Sequence, residues 1–516
     1  MIGHYPCQTE ESSGNVQSLT AFWDLPAFLF PFHLSSRRPG GFICTVPNNQ
    51  SPIEIPSPLS KFAPCLVLTL LGALAAFGLV SREAAAVDIH LLGFPDSDQI
   101  TLELRPLLLG LLCFLPAIAA LCYSMAGALD RYLARQMLGA VCICSFALLI
   151  IYVLIDLNDN IDNFQKSTNV GSFLLQYYLV ILPPTFVLLI PFGLLLGLLY
   201  ALGKLSSNHE IIAMLQTGRS LTRVIMPLGV VGLFFSFCCL LLNYHWAPWG
   251  EGYQEALIEF AKSGSKSQAR NVLYVHRDAE RTVDRSWLVG SFPYNYTPDD
   301  PILDVVVRSK DESGPSSVLY AKSATWSAST GTWAFKDAIR LDLRSRLDDG
   351  SLAEKFETDL PSPYFVNDYP ETPWQIVAPG LEKNYLGIPE LKSWLLQHEG
   401  DVWAPRRAYL TQWHYRWAQP WICLVVVLLS APLGIAFTRR GTAGGVAIAA
   451  FLIGAMLLCS EAFLTLGDAG QITPLLAAWG TNLIFTIIAG VLLWRRLQGR
   501  PIYQAILSRI PLGTGN

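Results

Sequence analysis

The sequence predicts an α-helical polytopic membrane protein with six core transmembrane helices, two further candidate spans in front of them, and an inserted β-domain of jelly-roll kind. Three observations carry this. Apolar residues make up 52% of the chain and charged residues 15%, well below the quarter typical of soluble domains, and mean hydropathy is +0.37. Apolar runs of about 20 residues, enough to cross roughly 30 Å of hydrocarbon, recur in both halves. Between them, from Trp246 to about Arg406, no run is long enough to span, and several segments alternate apolar and polar residues with period two.

Taken in order, residues 1–60 mix Pro, Ser, Cys and aromatics without periodicity, and no basic start leads into an apolar core. This segment reads as poorly ordered, and Met125 stands as an alternative start. Phe62–Val80 and Pro106–Tyr123 are just long enough to span. The six stronger runs are Gln136–Ile155, Phe173–Leu202 with Pro183, Pro184 and Pro191, Val224–Leu242, Trp421–Phe437, Gly444–Leu466 and Leu475–Trp494. Prolines on that scale imply a kinked span whose freed carbonyls are satisfied by neighbouring helices. The β-segments are NVLYVHR, SWLVGSF, ILDVVVRS, SVLYAKSATWSA and TWAFKDAIRLDL, separated by turn residues such as Ser329-Thr330-Gly331 and Asp348-Asp349-Gly350. Pro389–His398 reads as an amphipathic helix returning to the membrane. The chain thus divides into residues 1–124, 125–246, 247–406, 407–500 and 501–516.

Charge placement orients it. Arg131, Arg135, Lys204, Arg219, Arg223, Arg439, Arg440, Arg495 and Arg496 fall on one side of the alternating spans, against Lys166 in the opposite short loops. Basic loops stay in the cytoplasm, so the β-domain is expected outside, in the periplasm of an organism that has one. The two early spans then form a hairpin that starts inside. The net charge of −4 decides nothing.

The cytoplasmic stretch LGKLSSNHEIIAMLQTGRSLTRVIM, residues 202–226, interrupts two apolar runs. Ser207 and Glu210 have capping-box spacing, Ile211, Ile212, Met214 and Leu215 supply an apolar face, Gly218 ends the helix, and Ser220 can start the next. Glu210 has two readings, a capping residue or an exposed carboxylate for a basic partner.

No P-loop is present, because Gly197 and Gly203-Lys204 have the wrong spacing and lack the Ser/Thr. Any ATP-driven work therefore needs a partner. H-E-x-x-H and G-x-S-x-G are absent as well, Asn295-Tyr296-Thr297 reads as an accidental sequon, and no metal or cofactor is expected. The cysteines, mostly inside apolar runs, read as small buried hydrophobes. Glu461, late in the fifth strong span, is costly unless it faces a cavity, gate or partner; a structural role stays open beside that. Asn482 reads as an interhelical hydrogen bond, and Asp156, Asp159 and Asp162 as a solvated acidic rim.

Four stretches resemble the LptF/LptG (YjgP/YjgQ) permease family: LDRYLARQML at 129–138, LGKLSSNHEIIAMLQTGRS at 202–220, HWAPWGEGYQEAL at 245–257 and RWAQPWICLVVVLLSAPLGIAF at 416–437. The resemblance covers about residues 126–500. It implies a non-catalytic membrane subunit of the lipopolysaccharide export ABC transporter, paired as an LptF–LptG heterodimer over two LptB ATPases, with the β-domain passing lipopolysaccharide to LptC and LptA. It implies a coupling helix at 207–218 carrying Glu210, Ile211, Met214 and Gly218, and lateral gates on the first and fifth strong spans, where Glu461 lies. One departure stands out: IDLNDNIDNF, where some members carry phosphate-binding lysines, is acidic here. The competing reading is a membrane-anchored envelope assembly protein whose β-domain docks a partner without moving lipid. A membrane enzyme is disfavoured, since no His, Asp or Ser constellation clusters on the spans.

Overall fold

The computed structural model describes residues 58–165, 169–218, 220–263, 267–277, 283–311, 316–343, 356–399, 405–435 and 443–498. The expectations for the N-terminal 57 residues, for 501–516 and for the Asp348-Asp349-Gly350 turn lie outside them. The helices are α1 (Pro58–Gly93), α2 (Gln99–Met125), α3 (Ala128–Gln165), α4 (Val170–Ser207), α5 (Glu210–Gln216), α6 (Leu221–Tyr244) and α7 (Trp246–Ser263). The strands are β1 (Ser267–Arg277), β2 (Val283–Pro293), β3 (Ile302–Asp311), β4 (Ser316–Ser327), β5 (Thr332–Leu343), β6 (Phe356–Asp359) and β7 (Tyr364–Val366). Then come α8 (Pro373–Val377), α9 (Ile388–Gln397), α10 (Arg406–Ala418), a 3₁₀ turn (Gln419–Trp421), α11 (Ile422–Gly434), α12 (Ala443–Asp468) and α13 (Pro474–Leu497). Among the described residues eight segments are long and apolar enough to cross a membrane, α10 and α11 forming one of them.

The helices outrun the apolar stretches that announce them, because polar turns continue a helix once it leaves the hydrocarbon. The 38 residues of α3 span about 57 Å at roughly 1.5 Å per residue. Its last turns therefore stand clear of the bilayer. Asp159 and Asp162 are exposed there, as a rim should be, but Asp156 is half-buried and accepts the Tyr177 hydroxyl at 3.0 Å. The acidic stripe is thus only partly solvated.

Small residues let α3 and α4 touch. A Cβ on Gly197 would stand 2.5 Å from the Val141 Cα, and one on Gly193 would collide with Ser145, the close approach that Gly-x-x-x-Gly spacing permits between membrane helices. Pro184 leaves the Val180 carbonyl without its helical donor. Gly250 of α7 lies against that carbonyl, with room for nothing beyond hydrogen.

All five long β-segments are strands, followed by two short ones on the outer edge of β5. The expected β-domain has a specific connectivity: the strands pair consecutively and antiparallel from β1 to β6, an up-and-down meander. Trp287, Trp333, Phe335 and Phe292 point inward and are fully covered. The inward phase of β2 slips between Val289 and Phe292, opposite the register shift at Ser267/Ala269. Helices α8 and α9 close the core with Trp374 and Trp394. Among the described residues the core holds a buried ion pair, Arg285 Nη1 to Glu371 Oε1 at 2.8 Å, with the guanidinium 4.3 Å from the Tyr369 ring centre.

Candidate functional site

The polar stretch between α4 and α6 is a short helix held by a sharp turn. Asn208 N–H closes α4 on the Lys204 carbonyl and His209 N–H on the Ser206 carbonyl, and His209 adopts a left-handed φ of 58° to redirect the chain. The capping box does not form, because α4 runs on through Ser207 and the Ser207 hydroxyl donates back to the Lys204 carbonyl at 2.9 Å. The helix expected over 207–218 is therefore α5, Glu210–Gln216. Thr217 ends it and Gly218, at φ +83°, makes the left-handed exit. Helix α6 begins at Leu221, directly after Ser220.

Glu210 is neither a cap nor a freely exposed charge. One oxygen accepts from the Tyr132 hydroxyl of α3 at 2.8 Å and the other from the Asn208 amide at 3.2 Å. A carboxylate in the first turn also complements the helix dipole. Ile211 and Met214 face inward and join the membrane core with Met137, Leu205 and Val224, so they anchor α5 rather than offer it to a partner. The face left outside consists of Asn208, His209, Ala213, Gln216 and Thr217. Among the described residues 208–218 the exposed ones are small or polar and carry no charge at neutral histidine.

Glu461 is exposed on α12, and no hydrogen bond or ion pair of its carboxylate is present among the described residues. Asn482 behaves as expected of a buried amide, donating to the Ala418 carbonyl at 2.7 Å. That carbonyl is available because the 3₁₀ turn redirects the backbone. Ile422 N–H bonds the Gln419 carbonyl instead.

Sequence reasoning missed the companion contact. Pro420 has no N–H for the Arg416 carbonyl four residues earlier, and Asn243 of α6 donates to that oxygen at 2.7 Å. Arg416 in turn donates to Asn243 Oδ1 at 3.2 Å and to the Asn384 carbonyl. The available signal was a proline inside a span, which implies open carbonyls, together with amides in facing spans. An apolar groove of about 460 Å³ opens between α6, α11 and α13, lined by Ile225, Val230, Leu233, Val427 and Leu493 among others.

Sequence reasoning also missed a buried polar knot where α1, α2, the α6–α7 junction and α9 meet. Arg105 Nη2 donates to Glu83 at 2.6 Å and to His245 Nε2 at 2.7 Å, and its Nη1 lies 3.8 Å from Glu390. On the other side of the ring, His245 Nδ1 lies 2.7 Å from Glu390 Oε1. Burial opposes ionisation of Glu390, yet His245 and Arg105 outweigh it and hold the carboxyl down at about 2.

Eight spans, a short helix clasped between two of them and a β-domain inserted after the fifth define a polytopic membrane protein of the permease type. Residues 131–495 match the family of the lipopolysaccharide export system permease LptF/LptG, and the chain belongs to that family. It is 24% identical over 394 residues to the lipopolysaccharide export system permease protein LptF of Escherichia coli K12, covering 73% of this chain and 98% of that protein. The same figures hold for LptF of Escherichia coli O157:H7 and of Shigella flexneri. The protein is thus a multi-pass inner-membrane subunit of a lipopolysaccharide exporter, a transporter component and not an enzyme. Helices α1 and α2 precede the matched region.

Proposed function

We propose that this subunit extracts lipopolysaccharide from the inner membrane with energy from ATP hydrolysed by an LptB dimer, and hands it through LptC toward the LptA bridge. It would do so paired with a second LptF/LptG-type permease, its β-domain in the periplasm. The observation that carries the reading is α5. It is pinned to two spans at once, through Glu210 to Tyr132 and through Ile211 and Met214 to the membrane core. A push on its outer face would therefore move α3 and α4 together.

The side assignment rests on charge. Arg131, Arg135, Lys204, Arg223, Arg495 and Arg496 all lie at the span ends away from the β-domain, with α5 among them. Glu461, on the fifth core span, is proposed as gate or cavity lining because an uncompensated carboxylate on a membrane helix needs water or a cation to face. The test is co-purification with LptB and a second permease. Wild-type complex should form, and Glu210→Ala should weaken it by freeing α5 from α3. Complex assembly and export that survive both Glu210→Ala and Gly218→Trp unchanged would remove α5 from the coupling path.

A further inference from the structure

We propose that the α1–α2 hairpin is an intramolecular brace that fixes the attitude of the β-domain over the membrane bundle, with Arg105 as its positioning residue. The inference stands apart from the transport reading.

The hairpin packs little where it crosses the membrane: in the most apolar stretch of each helix only 6% of residues are buried. Its ties concentrate at the β-domain end instead. Phe94, in the loop between the helices, is 4% exposed and enters the β-domain core, 5.4 Å from Trp374 and 5.3 Å from Tyr296 between ring centres. Asp96 accepts from Thr372 and Gln375 at the start of α8, at 2.8 and 3.0 Å. Asp98 pairs with Lys392 of α9 at 2.9 Å, and its N–H donates to Ser393.

Below these contacts Arg105 gathers Glu83, His245 and Glu390. Glu83 is on α1, His245 is where the chain leaves the membrane, and Glu390 is on the β-domain's closing helix. Each of these charges would be expensive alone at that depth, so the knot holds only while all three parts stay together. The domain is joined to the bundle at two chain crossings, near residues 245 and 405, and α10 adds Tyr409 to the domain core and the Arg416–Asn384 bond. The hairpin adds a further attachment, made to the domain's closing helices through Phe94, Asp96 and Asp98.

The test uses the full-length protein in nanodiscs, with spin labels carried by non-canonical amino acids at Thr330 on the β4–β5 turn and Asp159 on α3. Wild type should give a narrow distance distribution. Arg105→Met should broaden it at least twofold while amide exchange in α4 and α11 stays unchanged. Phe94→Ala, which touches no charge, should broaden it as well. An unchanged width in either variant overturns the proposal. So does broadening that comes only with faster exchange throughout α4 and α11, since Arg105 would then be holding the whole fold. No lipid or ATP enters either readout, so the brace can fail with the exporter reading intact, and the reverse.

Discussion

Asn243 donates to the Arg416 carbonyl at 2.7 Å, and that carbonyl is the one Pro420 leaves without a helical partner. Two residues on, Asn482 bonds the open Ala418 carbonyl in the same way. The return span from the β-domain is thus broken at one level, and two neighbouring spans repair it with side-chain amides. In hydrocarbon, where water cannot substitute, such repairs decide whether an irregular backbone is tolerated.

Asn243→Leu should therefore lower the stability of the purified protein by about 1–2 kcal/mol, the scale of a lost interhelical hydrogen bond that strands a buried acceptor. In a Pro420→Ala background, where position 420 regains its N–H, the loss should fall to less than half. Thermal melting of the four proteins of this cycle measures it, and equal losses in both backgrounds would break the link between the two residues.

The Arg285–Glu371 pair makes a second prediction. Glu371 is fully buried and its backbone carbonyl also accepts from Trp333 Nε1 at 2.8 Å. Glu371→Leu alone strands a buried guanidinium and should cost about 3–5 kcal/mol, whereas Arg285→Met with Glu371→Leu should cost much less. Melting followed by tryptophan fluorescence reads both, since Trp287 and Trp333 share that core.

Glu390 sets a pH window. Its folded value is about 2 against an ordinary 4.5. A lowered carboxyl stabilises the fold fully above its unfolded value and loses that contribution as pH falls toward the folded one. About 3 kcal/mol at neutral pH should thus disappear between roughly pH 5 and pH 2. Denaturation at successive pH values should show this fall in wild type and a flatter curve in Glu390→Gln. Parallel curves would place the acid sensitivity elsewhere.

At Gly218 the constraint is the backbone. Its φ is +83°, and an added Cβ would meet no heavy atom within 4 Å among the described residues. Gly218→Ala and Gly218→Val should each destabilise by about 1–2 kcal/mol from left-handed strain, with Gly218→Asn milder. A penalty that grows with side-chain volume in detergent-purified protein, in the absence of any partner, would point to a clash instead.

The parts legible in the sequence were those written locally. Twenty-residue apolar runs announced the core spans, period-two alternation announced β1 to β5, and Gly218 marked a helix end. Asn482 was readable because an amide in an apolar run has few other uses. The capping box misled because Ser207 and Glu210 have the right spacing on either side of a helix break, and α4 had enough propensity to continue through Ser207. Ile211 and Met214 carried the right apolar pattern, but a pattern cannot say whether an apolar face meets its own chain or a partner. The polar knot was illegible for another reason: Arg105 meets His245 across 140 residues. Nothing in either neighbourhood names the other.

On the proposed function, this permease moves lipopolysaccharide with energy received through α5. The direct measurement is ATP-dependent release of lipopolysaccharide from proteoliposomes holding this subunit, its partner permease and LptB. Wild type should be compared with Ala213→Trp, a substitution on the outer face of α5. At least a tenfold loss of ATP-dependent release is expected, with the melting of the isolated subunit unchanged. Release at the wild-type rate by Ala213→Trp, or release by wild type that does not depend on ATP, would contradict it.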